Sequence, residues 1–327
     1  MKKDLYPFEI LEELNKVEEE LIKSTKSKNK LLQSESERLI KAGGKRLRPA
    51  LVIYSAKFGD YDSNKVVSVA SAIEMLHLST LIHDDVIDDA KERRGVPTIQ
   101  VKHNNKVAIF TGDFLFTKSF FLISKYKDMY KEEYRSETSI EYIAKIVKGI
   151  CEGEVDQYLA KFDTNISVMR YLKRIKLKTA LLFGLACQIG SMVGKCDKKT
   201  VKALRNYGMA LGTAFQIKDD ILDILGTKEK LGKPVVNDIK EGIYTLPLIY
   251  TLNNRKYRDK LIGLLEDSDD NIQEIIDIVK ASGGIDYSYN IYNRYVEKSK
   301  KWLKKLPDNK YRKYLFDLTD KVVNREV

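Results

Sequence analysis

The sequence predicts an all-α protein, with roughly ten or more mostly antiparallel helices in a single domain over residues 1–327. Apolar residues recur at three- and four-residue steps through most of the chain, and strict alternation is nearly absent. Only 6 prolines and 18 glycines interrupt the 327 residues, which favours long helices over a β protein with many turns. No low-complexity linker divides the chain, so we expect one domain.

The helical pattern can be followed from the amino terminus. It covers residues 8–41, where Ile10, Leu14 and Val17 share one face, and then a more apolar segment at 64–83. Glycine pairs and Gly-Pro combinations predict the breaks between helices. The other predicted helices are 106–126, 138–160, 166–194, 198–224, 246–265, 270–281, 286–304 and 308–324.

Composition excludes several classes of protein. The three cysteines form no CxxC pair, which argues against a zinc site and indicates a reducing compartment. The first residues lack the apolar core of a signal peptide, and charged or polar residues interrupt every apolar run before the ~18 residues of a membrane span. We therefore expect a cytoplasmic protein.

The net charge of +11 favours an anionic partner, such as a phosphorylated substrate or an acidic membrane surface. The alternative is a lysine-rich composition on solvated faces. The basic residues are scattered and form no dense arm, which argues against nucleic-acid binding.

Two acidic clusters stand out. "HDDVIDD" at 83–89 and "KDDILDI" at 218–224 each end an apolar helical segment. Residues three and four positions apart share a helix face, so the carboxylates of each cluster would repel one another without a cation. Mg²⁺ suits such a site because it takes oxygen ligands and bridges one or two carboxylates to phosphates. A solvated, acidic helix end explains one cluster equally well but explains two matching clusters poorly. The clustered aspartates are Asp84, Asp85, Asp88, Asp219, Asp220 and Asp223.

Basic residues accompany the acids. Arg93 and Arg94 follow the first cluster within two turns, and the helix is predicted to continue through them until Gly95 and Pro97 break it. "GGKRLRP" at 43–49 places Lys45 and Arg48 after two glycines. Arginine suits bidentate phosphate binding and lysine adds a point charge, although such a loop can also serve only solubility. His77 precedes Asp84 by seven residues on nearly the same helical face, where a lone histidine is more often a core residue.

Several segments resemble the trans-type polyprenyl (isoprenyl) diphosphate synthases. They are "GGKRLRP" at 43–49, "LIHDDVIDDAKERRGVPT" at 81–98, "GD" at 112–113, "CEGEVDQ" at 151–157, "KTA" at 178–180, "FQIKDDILD" at 215–223 and "GKPVVNDIKEGIYTLPLI" at 232–249. The resemblance implies the isoprenoid synthase fold, a helical bundle around a deep cavity. It also implies a Mg²⁺-dependent reaction in which an allylic diphosphate condenses with isopentenyl diphosphate and releases pyrophosphate.

The same resemblance implies roles for individual residues. Asp84, Asp88 and Asp219 would bind about two or three Mg²⁺ ions, with the other clustered aspartates beside them. The residues implied to contact the allylic diphosphate are Arg93, Lys178, Thr179, Gln216 and Lys233, and those implied for the isopentenyl diphosphate pocket are Lys45, Arg48, His77 and Arg94. Ile243 stands where the family often has a second lysine, which puts one contact to the leaving group in doubt.

Product length is limited in this family by bulk just before the first aspartate motif. Ser79 and Thr80 are small, which favours a medium- or long-chain product of roughly thirty to forty carbons, as in heptaprenyl enzymes. A short-chain (farnesyl or geranylgeranyl) synthase is the alternative, with the phenylalanines of 114–121 closing the cavity. The resemblance implies a homodimer or a heteromer with a small regulatory subunit, and transient membrane contact could accompany product release.

Two other readings are weaker. A class I terpene cyclase shares the first motif but has no need of "GGKRLRP", because it binds no isopentenyl diphosphate. A non-catalytic synthase subunit tends to lose aspartates from one motif, whereas both motifs are complete here.

Overall fold

The computed structural model describes residues 5–125, 139–226 and 237–323. Contacts divide the chain into two compact units. The first unit comprises Met1–Ala144, Leu185–Arg205 and Lys305–Leu318, and the second comprises Lys145–Gly184, Asn206–Lys304 and Thr319–Val327. A single domain over 1–327 stays a prediction.

Helices account for nearly all regular structure in the described residues, as predicted. The first half of the chain contains α1 (Phe8–Ser24), α2 (Lys30–Lys41), α3 (Leu47–Ala56), α4 (Ser63–Ile87), β1 (Glu92–Arg93), β2 (Val96–Pro97), α5 (Ile99–Lys102), α6 (Asn105–Ser124) and α7 (Ser139–Leu159). The second half contains α8 (Val168–Ile175), a π-helical turn (Lys176–Ala180), α9 (Leu181–Val193), α10 (Lys198–Leu225), α11 (Asn237–Lys240), α12 (Leu246–Leu252), α13 (Arg255–Leu265), α14 (Ser268–Ala281), α15 (Gly284–Leu303) and α16 (Lys310–Val323).

Three long predicted helices are divided in the structure. The pattern at 8–41 forms α1 and α2, because Asn29 caps a new helix by accepting hydrogen bonds from the backbone N–H groups of Leu31 and Leu32. Asn254 likewise starts α13 within the predicted helix 246–265. The third, 166–194, is broken at the π-helical turn. Apolar periodicity continues across such breaks, so it cannot locate them.

The prediction that Arg93 and Arg94 continue the helix of the first acidic cluster is wrong. Helix α4 ends at Ile87, Asp89 takes a left-handed conformation (φ 47°), and Arg93 lies in β1. β1 pairs antiparallel with β2, with Arg93 opposite Val96. The chain therefore reverses direction soon after the last aspartate.

Helix α4 forms the core of the first unit, where it packs against α1, α3 and α6. It is apolar on all sides, with Val66, Ile73 and Met75 fully buried. By length and composition α4 and α6 could each span a membrane, but 78% of the relevant window of α4 is buried within the protein, as expected for a core helix. For α6, 39% of the corresponding window is buried.

The second unit is organised around the short helix α12. This helix packs against α8, α13, α14 and α15, and its residues Leu246, Leu248 and Ile249 are fully buried. Its first turn begins with Thr245 and includes Pro247, where the missing N–H needs no helical partner. Helix α12 therefore begins directly after the segment that contains Ile243 and Tyr244.

Candidate functional site

The first acidic motif occupies the carboxyl end of α4. Asp88 is the C-cap residue, and its backbone N–H donates to the carbonyl oxygen of Asp84 at 2.8 Å, so these two residues lie one turn apart. Asp84 is half-buried and Asp88 is exposed. The unsatisfied carbonyl groups of a helix end add negative potential to these carboxylates. The two neighbouring carboxylates and the carbonyl groups of the helix end both favour a bound cation, and carboxylate oxygens suit Mg²⁺.

The middle aspartate of this motif has a different role. Asp85 is 5% exposed, and its Oδ1 accepts hydrogen bonds from Arg93 Nε at 2.6 Å and Nη2 at 2.5 Å. A buried carboxylate needs such a charged partner. Asp85 therefore fixes the guanidinium of Arg93, a residue predicted to contact the allylic diphosphate.

The β1–β2 hairpin brings Arg94 to the "GGKRLRP" segment. Arg94 (φ 55°) and Gly95 (φ 75°) form its turn, and the Arg94 guanidinium donates to the carbonyl oxygen of Gly43. Thr98 Oγ1 and Gln100 Nε2 hold the base of the hairpin by donating to the Ala90 carbonyl oxygen at 2.8 and 2.9 Å. Two sequence segments with predicted roles in the same pocket thus meet in the first unit.

His77 lies among these cations. Burial lowers its pKa well below the usual range, and the charges of Arg48, Arg94 and Arg93 lower it further. The imidazole is consequently neutral at pH 7 and able to donate one hydrogen bond. The structure brings three of the residues predicted for isopentenyl diphosphate, Arg48, His77 and Arg94, into one electrostatic environment.

An apolar cavity adjoins this basic region. Asp85, Arg93 and Arg94 line its polar side. Its apolar walls come from α2 and α4: Leu39, Ala42, Leu78, Leu81 and Ile82. Sequence reasoning did not assign these wall residues, because helical periodicity does not distinguish a cavity wall from packed core. The cavity volume of about 10 Å³ admits about one water molecule and no prenyl chain.

The "GD" segment at 112–113 contacts the start of the first motif. A side chain at Gly112 would collide with the His83 imidazole, and Asp113 Oδ1 lies 3.3 Å from His83 Nε2. Glycine at 112 therefore lets α6 approach α4 closely at the level of the aspartates.

The second acidic motif lies near the end of α10 in the second unit. Asp219 and Asp223 are half-buried, one turn apart, while Asp220 is 5% exposed. Asp220 accepts hydrogen bonds from Tyr171 Oη at 2.6 Å and from Gln216 Nε2 at 2.8 Å. Burial raises the pKa of Asp220 to about 6, against the lowering effect of these donors.

Two predicted diphosphate contacts lie behind Asp220. Thr179 Oγ1 donates to Gln216 Oε1 at 2.7 Å, and Gln216 in turn binds Asp220. The three side chains form one hydrogen-bonded chain that fixes the amide orientation of Gln216. Sequence reasoning did not identify Tyr171, which ends this chain, because nothing in its local pattern shows a buried hydroxyl.

Lys178 is positioned by the π-helical turn. Its ammonium group contacts Glu154 Oε2 at 2.8 Å, and Glu154 belongs to the "CEGEVDQ" segment. A Cβ atom at Gly153 would lie 2.8 Å from Leu177 Cβ, so glycine allows α7 to approach this turn. π-Helical turns occur often at functional sites.

The segment after the second motif contains a second perturbed acid. Burial raises the pKa of Asp238 to about 7, and Asp220 and Glu241 raise it further. Ile243 is buried, and its N–H donates to the Asp238 carbonyl oxygen at 2.7 Å. Arg174 Nη2 donates to the Tyr244 carbonyl oxygen at 2.8 Å.

Several of the predicted site residues stay predictions. Lys233 lies outside the described residues. Among the residues that are described, no three His, Cys, Asp or Glu side chains converge as a ready metal site. The metal ligands Asp84, Asp88 and Asp219, and the chain-length residues Ser79 and Thr80, stay predictions; Ser79 is buried and Thr80 half-buried.

Comparisons with known proteins fit this arrangement. The polyprenyl synthetase family model matches residues 29–281. The heptaprenyl diphosphate synthase component 2 of Bacillus subtilis is 38% identical over 93% of this chain and 85% of its own length.

Solved structures give the same result. The heptaprenyl diphosphate synthase of Staphylococcus aureus superposes with a TM-score of 0.90 at 34% identity, covering 97% of this chain and 99% of that one. A Caulobacter crescentus polyprenyl synthase, complexed with calcium and isoprenyl diphosphate, has a TM-score of 0.86 at 32% identity, covering 97% and 96%.

The fold and the two acidic motifs define an all-α prenyltransferase with the isoprenoid synthase fold, an enzyme acting on prenyl diphosphates. The chain belongs to the polyprenyl synthetase family.

Proposed function

We propose that the enzyme condenses an allylic diphosphate with isopentenyl diphosphate in a Mg²⁺-dependent reaction. The observation that carries this proposal is a difference in burial between the aspartates within each acidic motif. The middle aspartate (Asp85 or Asp220) is buried and bound by protein donors, whereas the first and fifth lie at the more accessible face. Mg²⁺ binds in this manner, through one or two carboxylates together with substrate phosphates.

The proposed reaction has three steps. Cleavage of the allylic carbon–oxygen bond leaves its electron pair on the diphosphate and an allylic cation on carbon. The double bond of isopentenyl diphosphate supplies the electrons for the new carbon–carbon bond. Loss of a proton to the released pyrophosphate then forms the new double bond. Mg²⁺, when bound, supplies positive charge that stabilises the leaving diphosphate.

The chain's own residues bind and orient these groups. Arg93, fixed by Asp85, stabilises the negative charge that develops on the leaving group. Arg48 and Arg94 bind the diphosphate of the second substrate beside the neutral His77. The condensation needs a site that excludes water, which would otherwise capture the cation.

Label transfer tests the proposal directly. The purified enzyme is incubated with radiolabelled isopentenyl diphosphate and farnesyl diphosphate, with Mg²⁺ or with EDTA. We expect label in an extended product only with Mg²⁺. A product formed from farnesyl diphosphate alone would indicate a terpene cyclase, and activity in metal-free buffer would contradict the role of the carboxylates.

We also propose a product of roughly thirty to forty carbons, since Ser79 and Thr80 leave little bulk before the first motif. The similarity to heptaprenyl synthases supports this length. Ser79→Phe should shorten the product, with Ser124→Phe, at the carboxyl end of α6, as the control. An unchanged product after Ser79→Phe would place the floor of the cavity elsewhere and reopen the short-chain alternative.

We propose, finally, that the chain works as an oligomer in the cytoplasm, with a second copy or a small partner subunit. The name "component 2" of the Bacillus relative implies a partner for that protein. Helix α6 exposes Ile109, Phe110 and Phe121 at 43%, 64% and 60%, and large exposed apolar side chains on one helix support a contact with another chain. Sedimentation of the active protein tests this, and a monomer active by itself would contradict it.

A further inference from the structure

One arginine of the "GGKRLRP" segment points into the protein. The Arg46 side chain is fully buried, and its Nε and Nη2 bind Glu18 at 2.6 and 3.1 Å. Its Nη1 binds Glu74 at 2.9 Å, and Nη2 also donates to the Ile40 carbonyl oxygen at 2.7 Å. Burial lowers the pKa of Arg46, but Glu74 and Glu18 outweigh this effect and raise it. Arg46 is therefore a charged internal anchor, unlike its neighbours in the segment.

The backbone at this anchor has an uncommon conformation. Arg46 is the N-cap of α3 with φ 52°, in the left-handed region, a strained conformation that persists only where the surroundings enforce it. Lys45 and Arg48 lie on either side of it. The direction of these two side chains therefore depends on the side-chain contacts that fix Arg46.

The same anchor reaches a third predicted substrate contact. Arg46 Nη1 lies 3.3 Å from the Gly43 carbonyl oxygen, which also accepts a hydrogen bond from Arg94. Movement of Arg46 would thus displace the acceptor that holds Arg94. The Gly43 carbonyl oxygen therefore joins the "GGKRLRP" segment to the β1–β2 hairpin.

Glu74 is the buried counter-ion of this network. Its side chain is 3% exposed, whereas that of Glu18 is 31% exposed, so water screens the Glu18 pair more strongly. Glu74 also lies on α4 three residues before His77, one helical turn away. It connects the basic segment to the helix that carries His77 and the first acidic motif.

We propose that Glu74 is a positioning residue for isopentenyl diphosphate, acting through Arg46 on Lys45, Arg48 and Arg94. This inference rests on the proposed function, because it concerns the second substrate of that reaction. Glu74 touches no substrate in this role. Its effect is confined to the diphosphate pocket of the first unit and leaves Asp84 and Asp88 in place.

The test compares Glu74→Gln with Glu13→Gln. Glu13 is another buried glutamate of the first unit, on α1, bound to Lys16 at 2.7 Å. It accepts a hydrogen bond from Ser63, which starts α4 eleven residues, or ~16 Å along the helix, before Glu74. For Glu74→Gln we expect KM for isopentenyl diphosphate to rise ~10-fold, while KM for the allylic diphosphate and kcat change less than ~2-fold. Glu13→Gln should leave all three values near those of the wild type.

A double variant separates positioning from folding. Removing Glu74 alone leaves the buried Arg46 with only the more exposed Glu18 as its counter-ion, which can prevent folding, whereas replacing a buried ion pair by apolar residues of similar size is often neutral. Arg46→Met with Glu74→Met should therefore fold, with a melting temperature near the wild type, yet keep the raised KM for isopentenyl diphosphate. A wild-type KM in this double variant would overturn the inference, and so would an equal rise of both KM values in Glu74→Gln.

The two proposals fail in different ways. If the wild-type enzyme transfers no label from isopentenyl diphosphate, the proposed function is wrong. If the wild type is active and both Glu74 variants retain its KM, only the positioning role is wrong.

Discussion

The two acidic motifs have the same spacing but different partners. Asp85 in the first unit is bound by the cation Arg93, whereas Asp220 in the second unit is bound by the neutral donors Tyr171 and Gln216. A cation compensates a buried negative charge, and neutral donors do so only in part. This explains why the pKa of Asp220 is raised to about 6 by burial. Equal sequence patterns therefore produce carboxylates with different electrostatics.

The contrast extends to other buried acids. Burial raises the pKa of Glu35 in the first unit, but hydrogen bonds from Lys102, His103 and Arg38 outweigh it and lower the pKa to about 2. In the second unit the pKa of Asp238 is raised to about 7 by burial and by Asp220. Asp85 and Glu35 are bound directly by cations, whereas Asp220 and Asp238 feel only the nearby charge of Arg174 and, for Asp238, of Lys178.

The largest expected effect concerns the first aspartate of each motif. Asp84→Ala and Asp219→Ala should each lower kcat by ~10³-fold, because each removes a carboxylate proposed to bind Mg²⁺ at the leaving diphosphate. Single-turnover label transfer measures this loss. Asp60→Ala, at a side chain 81% exposed in the first unit, is the control and should retain full activity. A variant of either motif that keeps its rate would remove that motif from the proposed site.

The next prediction tests the difference between the middle aspartates. Asp85→Asn removes the charge that fixes Arg93 and should lower kcat/KM for the allylic diphosphate by ~10²-fold. Asp220→Asn should cost only ~10-fold, since Asn retains an acceptor for the Tyr171 hydroxyl. Steady-state kinetics with the allylic substrate varied measures both. Equal losses would show that the charge of the partner is unimportant.

The third prediction concerns stability in the first unit. The depressed pKa of Glu35 contributes about 3 kcal/mol of stability, fully present above its unfolded value near 4.5 and lost as the pH falls towards 2. Glu35→Gln should therefore lower the free energy of unfolding by about 3 kcal/mol at pH 7 and by much less at pH 3. Urea titrations at both values measure this, and a loss independent of pH would contradict it.

The smallest effect is expected at Asp238, with the opposite sign. Its raised pKa means that the folded protein holds a proton more tightly than the unfolded chain, so stability from this group falls as the pH rises from about 4 to 7. Asp238→Asn should raise the free energy of unfolding at pH 8 by about 1–2 kcal/mol and change it little at pH 4. Matched urea titrations would refute this if the variant is less stable at pH 8.

Sequence reasoning succeeded where a local pattern carries the information. The apolar spacing of 64–83 predicted α4 to within four residues at its carboxyl end, and the segments around Asp84 and Asp219 predicted the family correctly. It failed where a single polar residue decides, as at the break before Asn29 and at the turn of Arg94. Periodicity averages over many residues and is insensitive to one cap or one left-handed residue.

Within the basic segment, sequence alone could not assign Arg46. Lys45, Arg46 and Arg48 look equivalent in "GGKRLRP", yet only Arg46 is buried against Glu18 and Glu74. Those glutamates are 28 residues away in either direction. No short-range pattern identifies such a partner.

By itself, the sequence determined the helical content, the spacing of the acids and the family, because each depends on residues within a turn or two of one another. Only the tertiary structure decided which aspartate of each motif is buried, that Arg93 pairs with Asp85 and Tyr171 with Asp220, and that Arg46 is an internal anchor. Desolvation and ion pairing depend on groups far apart in the chain, and folding alone brings these together.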